Sequence, residues 1–157
     1  MMFPKPDKRN EERNIIEAWC MDLWRWTVKS RDQFTCQQSK VKGDFNALAA
    51  HHIFSRSKNS VKFLVEDGIT LRHGNHFNAH KYPEKFRDWL IEYMGQEKFD
   101  ALKLKSSVTT HYRNFDLYMI RIDLEKQFIE HGGSAEKVRE TEKKYLDQLE
   151  QLARRGL

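Results

Sequence analysis

Apolar and polar positions alternate along this chain in blocks that change period. Between residues 11 and 30, Ile16, Trp19, Cys20, Leu23, Trp26 and Thr27 recur at helical spacing and predict a helix with one apolar face. Residues 1–10 are polar, carry Pro4 and Pro6, and read as a flexible tail. Residues 31–46 contain the polar run QQSKVKGD with Gly43, Asp44 and Asn46, which predicts turns with a short strand on either side. ALAAHHIF (47–54) predicts a short buried strand, and Ile69-Thr70-Leu71 a second one after a loop that ends at Asp67-Gly68. A helix is expected from Gly74 to about Lys81, with Gly74 or Asn75 near its start.

The remainder of the chain reads as helices. Pro83 suits a first helical position, Phe86, Trp89, Leu90 and Tyr93 follow, and Gly95 suits a stop. A short helix with Phe99 and Leu102 comes next. Residues 112–131 place Leu117, Ile120, Leu124 and Phe128 on one face. Gly132-Gly133 breaks the pattern, and Ser134 can cap a last helix to about Arg154. In that helix Val138, Tyr145, Leu149 and Leu152 take heptad positions, with Glu142 interrupting the stripe, so it can pack on the body or on a second subunit.

Composition narrows the class. The chain has 157 residues, enough for one ordinary domain. It is 39% hydrophobic and 32% charged, with ten Phe and four Trp to anchor a modest core. Trp19, Trp24, Trp26 and Trp89 are read as core residues rather than stacking platforms. A net charge of +5 suits a polyanionic partner without requiring one. No apolar run approaches a membrane span, and the first residues lack a signal-peptide core, so a cytoplasmic location is expected. Cys20 and Cys36 are expected to be reduced thiols.

Five of the seven histidines lie between residues 51 and 80. His76 and His80 are spaced i, i+4, so on a helix both rings can reach one metal ion. His51 and His52 are adjacent, so on a strand one faces that ion and the other faces away from it, toward a substrate. An i, i+4 pair or a His dipeptide alone is common on surfaces; their combination across a short loop-and-strand segment points to a metal site. Imidazole also supplies a base near neutral pH for hydrolysing a phosphodiester, and the cation offsets charge on the phosphoryl group.

AHHIFSRS (50–57), EDGITL (66–71) and NHFNAH (75–80) resemble the HNH nuclease motif, also called the ββα-metal or His-Me finger motif, and VKSRDQFTCQ (28–37) resembles the lead-in of phage and bacterial HNH proteins. That resemblance covers about residues 28–80. It implies His52 as general base and His51, His76 and His80 as ligands of one divalent cation (Mg2+, Mn2+, Zn2+ or Ni2+), a ligand set closer to colicin-type nucleases than to Asp/Asn-ligated homing endonucleases. Arg56 is placed to meet a phosphate or is a solvated arginine. The motif's middle Asn falls on Asp67, which can accept hydrogen bonds but not donate as an amide does, and whose charge would raise the His52 pKa or hinder phosphate approach. Where many relatives hold two Cys-x-x-Cys pairs, this chain reads Cys36-x-x-Ser39 and Arg72-x-x-Asn75, so no structural zinc is expected. Packing by Phe34, Phe45, Phe54, Phe63 and Phe77 is expected to hold the loops instead. His73 is read as a surface residue.

The expectation is therefore an α+β protein: a tail over 1–10, a helix over 11–30, a ββα-metal core over 31–81 and a helical region over 82–157. By resemblance it is a phage or mobile-element endonuclease acting on double-stranded DNA in the host cytoplasm. Its catalytic residues would be His52, Asp67 and Arg56. Lys40, Lys42, Arg56, Lys58, Lys62 and Arg72 would meet phosphates, or form a solvated basic face. The C-terminal helices would serve a second copy or a phage protein. Two alternatives are a nucleic-acid-binding protein with an inactive HNH fold and a phage packaging or assembly partner.

Overall fold

A computed structural model describes residues 7–156. The protein is α+β and mainly helical. α1 (Lys8–Arg31) is followed by β1 (Leu48–His52), a 3-10 turn (Val65–Asp67), β2 (Gly68–Arg72), α2 (His73–Lys81), α3 (Pro83–Met94), α4 (Gln96–Ser106), α5 (Asn114–Glu130) and α6 (Ala135–Arg154). Of the expected tail, residues 8–10 are helical, because the Asp7 carboxylate caps α1 by accepting from Arg9 N at 3.0 Å. Residues 1–6 lie outside the described residues. The short strands expected around 31–46 reduce to one bridge, Thr35 to Lys42. α2 starts one residue early, at His73, with Arg72 rather than Gly74 or Asn75 as its cap.

α1 is the central post. Ile16, Trp19, Leu23, Trp24 and Val28 are fully buried on it, more than one apolar face would allow, because α5, α6 and the sheet pack round it. Trp19 stacks on Tyr145 of α6 with ring centroids 5.7 Å apart, and the Tyr145 hydroxyl donates to the Asp22 carboxylate. Along α6, Tyr145 and Leu152 are buried as expected, but Thr141 takes the third buried place while Val138 and Leu149 are half-buried. Trp26 and Trp89 are half-buried, not core.

β1 and β2 form one antiparallel pair in which His51 sits opposite Ile69 and His52 opposite Gly68. Strand alternation divides the pair between two clusters. Ala50, His52, Gly68 and Thr70 face α1; His51, Ile69 and Leu71 face α2 and α3. The end of α1 ties down the start of β2. Arg31 donates to Val65 O and Gly68 O, each at 2.7 Å, and Thr70 N donates to the Asp32 carboxylate at 2.9 Å. Gly68 is needed for close approach: a Cβ there would lie 2.4 Å from Val28 Cγ2 and 2.7 Å from Trp24 Cζ2.

Candidate metal centre

The register of β1 brings His51 to α2. Its ring lies edge-on to His76 at 5.1 Å and to His80 at 5.0 Å between centroids, with Phe86 of α3 closing a further side at 5.0 Å. His76 Nε2 and His80 Nε2 are 3.1 Å apart. One ligand atom from each of the three rings lies within 4.8 Å of the others. A tetrahedral ion with metal–nitrogen bonds of about 2.0–2.1 Å needs ligand atoms about 3.3 Å apart. The α2 pair meets that spacing and His51 has up to about 1.5 Å to close, so the three can hold one ion once His51 is drawn in.

Electrostatics favour the form that binds metal. His51 is 7% exposed, and burial, followed by the neighbouring His76 and His80, holds its pKa down at about 3. Burial also lowers His76, with His80 and His73 adding to it. Neutral imidazoles are ligands without first losing a proton. Three nitrogen donors suit Zn2+ or Ni2+ better than Mg2+, which prefers oxygen.

His52 points to the other face of β1. Its ring stacks on Trp24 at 3.9 Å between centroids with planes 7° apart, and its Nε2 lies 3.0 Å from Lys62 O. A carbonyl only accepts, so Nε2 carries the hydrogen and the neutral ring keeps its lone pair on Nδ1. Burial lowers the His52 pKa to about 4, against the Lys62 carbonyl, which raises it; Arg56 and Arg25 lower it further.

Asp67 corrects two expectations. It is fully buried and outside the lining of the cleft, so it is not placed to contact a molecule bound there, against the expected catalytic place. Its Oδ1 accepts from Phe54 N at 2.8 Å and its backbone oxygen from Ile53 N at 2.7 Å, which pins the chain just after His52. Burial raises its pKa to about 8, and it is not among the groups that shift His52, whose pKa falls instead of rising.

His51, His52, His76 and His80 line one open cleft of about 950 Å³. Among the residues expected to meet phosphates, Arg56 lines it and is exposed. Lys40, Lys42, Lys58 and Arg72 are exposed but do not line it. Lys62 is turned inward, with a side chain 13% exposed and paired to Glu17 at 3.5 Å; its carbonyl meets His52 and its charge helps lower the His52 pKa. Arg25 on α1 and Arg87 on α3 complete the basic lining, whereas Lys29, one turn after Arg25, is 4% exposed and its Nζ donates to Phe45 O at 2.9 Å. Arg25 is missed when a helix is read only for its apolar stripe; a basic residue on the remaining face of α1 was the available signal. His73 also reaches the cleft, with Nε2 2.8 Å from Asn46 O.

The loop-holding set is also partly revised. Phe63 is buried, Phe45 stacks on Trp26 at 4.0 Å and Phe54 packs on Phe99 at 5.4 Å, but Phe77 is 65% exposed because it falls on the outer face of α2. Cys36, buried and free, accepts from Ser39 N at 3.4 Å and meets Asn75 Oδ1 at 3.6 Å, and the Arg72 backbone lies near enough to help lower its pKa. Compared with protein-family models, with curated proteins and with solved structures, the chain matches none.

Proposed function

We propose that this chain is a metal-dependent endonuclease of the HNH, ββα-metal kind, hydrolysing phosphodiester bonds in DNA. One observation carries the reading: a three-histidine donor set and a fourth, differently held histidine share one basic-lined cleft. The meeting of Cys36, Ser39, Arg72 and Asn75 adds support, since these positions hold the zinc cysteines of many HNH relatives.

In this reading His51, His76 and His80 hold one divalent cation. When bound, such an ion offsets the charge that develops on the scissile phosphate and its leaving oxygen. His52 takes the proton of the attacking water on Nδ1, the nitrogen left free by the Lys62 carbonyl. Trp24 fixes the plane of that ring. A base near pKa 4 is ready at neutral pH but draws a proton weakly. A phosphate in the cleft offsets Arg56 and Arg25, two of the groups that lower it, and so strengthens the base where substrate is bound. Arg56, Arg25 and Arg87 position the backbone without reading its sequence.

The test is nicking of supercoiled plasmid by the full chain with Mg2+, Mn2+, Zn2+ or Ni2+. Nicking by the wild type, abolished in His52→Ala while metal binding persists, is the expected result. Equal nicking by His52→Ala, or none with any of the four ions, overturns the reading.

A further inference from the structure

α5 is apolar on two faces. Leu117, Leu124 and Phe128 are buried toward α1. On the opposite face Phe115, Met119, Ile122 and Ile129 recur at helical spacing and are 66%, 50%, 48% and 44% exposed. Lys126, paired to Glu130 at 4.0 Å, interrupts that stripe between Ile122 and Ile129, and the apolar patch from Phe115 to Ile122 marks a contact surface.

Met119 also lines a groove of about 420 Å³ between α5 and the 3-10 turn, floored by Phe63, Tyr112 and Leu124. Two exposed carboxylates border it, Asp123 from α5 and Glu66 from the turn. Asp123 accepts from the Gln127 amide at 2.7 Å, and among the described residues neither acid has a cationic partner. Uncompensated acids beside an apolar groove stand out on a chain of net charge +5.

We propose that this face binds a cationic amphipathic helix of a partner protein. Its apolar side chains, at i, i+4 and i+7, would lie along Met119 and Ile122 and enter the groove, and its Lys or Arg would meet Asp123 and Glu66. Charge decides among occupants. A nucleic acid is repelled here and drawn to the cleft, where Arg25, Arg56 and Arg87 lie. A second copy paired two-fold through this face would offer these acids one cation from the α5 stripe, Lys126, which already pairs with Glu130 at 4.0 Å. A basic helix satisfies both the apolar stripe and the acids.

Fluorescence polarisation of the full chain with labelled helical peptides of about four turns tests this. One peptide carries Leu at helical spacing with Lys between, and its match carries Glu in place of Lys. The Lys peptide is expected to bind at least about tenfold more tightly than the Glu peptide, and Glu66→Lys with Asp123→Lys to remove or reverse that preference. Met119→Ser with Ile122→Ser, both at exposed positions, should weaken the Lys peptide while the thermal melt stays unchanged. No binding of the Lys peptide, or equal binding by the charge-reversed variant, overturns the proposal. So does a dimer in sedimentation that Met119→Ser with Ile122→Ser dissolves, because a second copy would then own the face.

Discussion

His52 is held by a carbonyl on one nitrogen and by an indole on its face, and both constraints have measurable consequences. With its pKa at about 4, the ring is neutral throughout the neutral range and is lost as a base only on acidification. The expected kcat/KM for nicking, which reports the substrate-free protein, is limited by His52 protonation only below about pH 5, well under the usual imidazole range; a half-maximum of kcat/KM near pH 6.5 would contradict the assignment. His51→Ala, which removes one of the three candidate ligands, is expected to weaken Zn2+ or Ni2+ binding at least about 100-fold by calorimetry. Asp67 gives a stability test. Its folded pKa, about 8, lies above the ordinary carboxylate value. Its contribution is therefore fully present in acid and lost as pH rises through about 8, since the folded state must surrender a proton that the unfolded state has already lost. Asp67→Asn keeps an acceptor for Phe54 N and removes the ionisation. Denaturant midpoints should fall from about pH 4 to about pH 8 in the wild type, level off above that, and stay flatter in the variant.

Among the elements, the junction of α1 with β2 decides where both strands lie. Arg31 reaches two carbonyls and the adjacent Asp32 takes the Thr70 amide, so the helix end and the strand start move together. Removing the guanidinium in Arg31→Met leaves Val65 O and Gly68 O without it, a loss of roughly 3 kcal/mol at charge-assisted strengths. Urea unfolding measures it, and a change within error would show that water replaces the clamp. The neighbouring loop allows a gain instead. Cys36 already lies against Ser39, Arg72 and Asn75. Ser39→Cys, Arg72→Cys and Asn75→Cys together are expected to complete a four-cysteine set that binds one extra zinc with Zn–S bonds of about 2.3 Å by X-ray absorption. Failure to bind zinc would show that the backbone holds these positions too far apart.

At the scale of the whole molecule, charge is segregated. The cleft carries Arg25, Arg56 and Arg87, while the α5 groove carries Asp123 and Glu66. If the cleft holds nucleic acid, Arg56→Ala and Arg87→Ala should each reduce the salt slope of duplex binding by about 0.9, whereas Lys40→Ala, outside the cleft lining, should leave it unchanged. Among the described residues no helix is long and apolar enough to cross a membrane.

Local chain geometry made much of this legible. Pro83 and Gly95 bound α3 because ring closure and a positive φ act within a residue or two, and Gly95 has φ 88°. The i, i+4 spacing put His76 and His80 together, and strand alternation put His51 and His52 on opposite faces, since both periods are properties of the backbone alone. Other features needed distant segments to meet. His51 joins the α2 pair only because β1 registers with β2 and α2 packs on that sheet face. The Trp24 stack on His52 joins residues far apart in the chain and rests on the missing side chain of Gly68, opposite His52 and against α1. Lys62 turned in toward Glu17 and Phe77 turned out, although composition read them the other way. The neutral Asp67 is likewise a product of burial. Sequence by itself determined which side chains share a face; tertiary structure decided which faces meet and which groups lose water, because desolvation and long-range proximity exist only once the chain has folded.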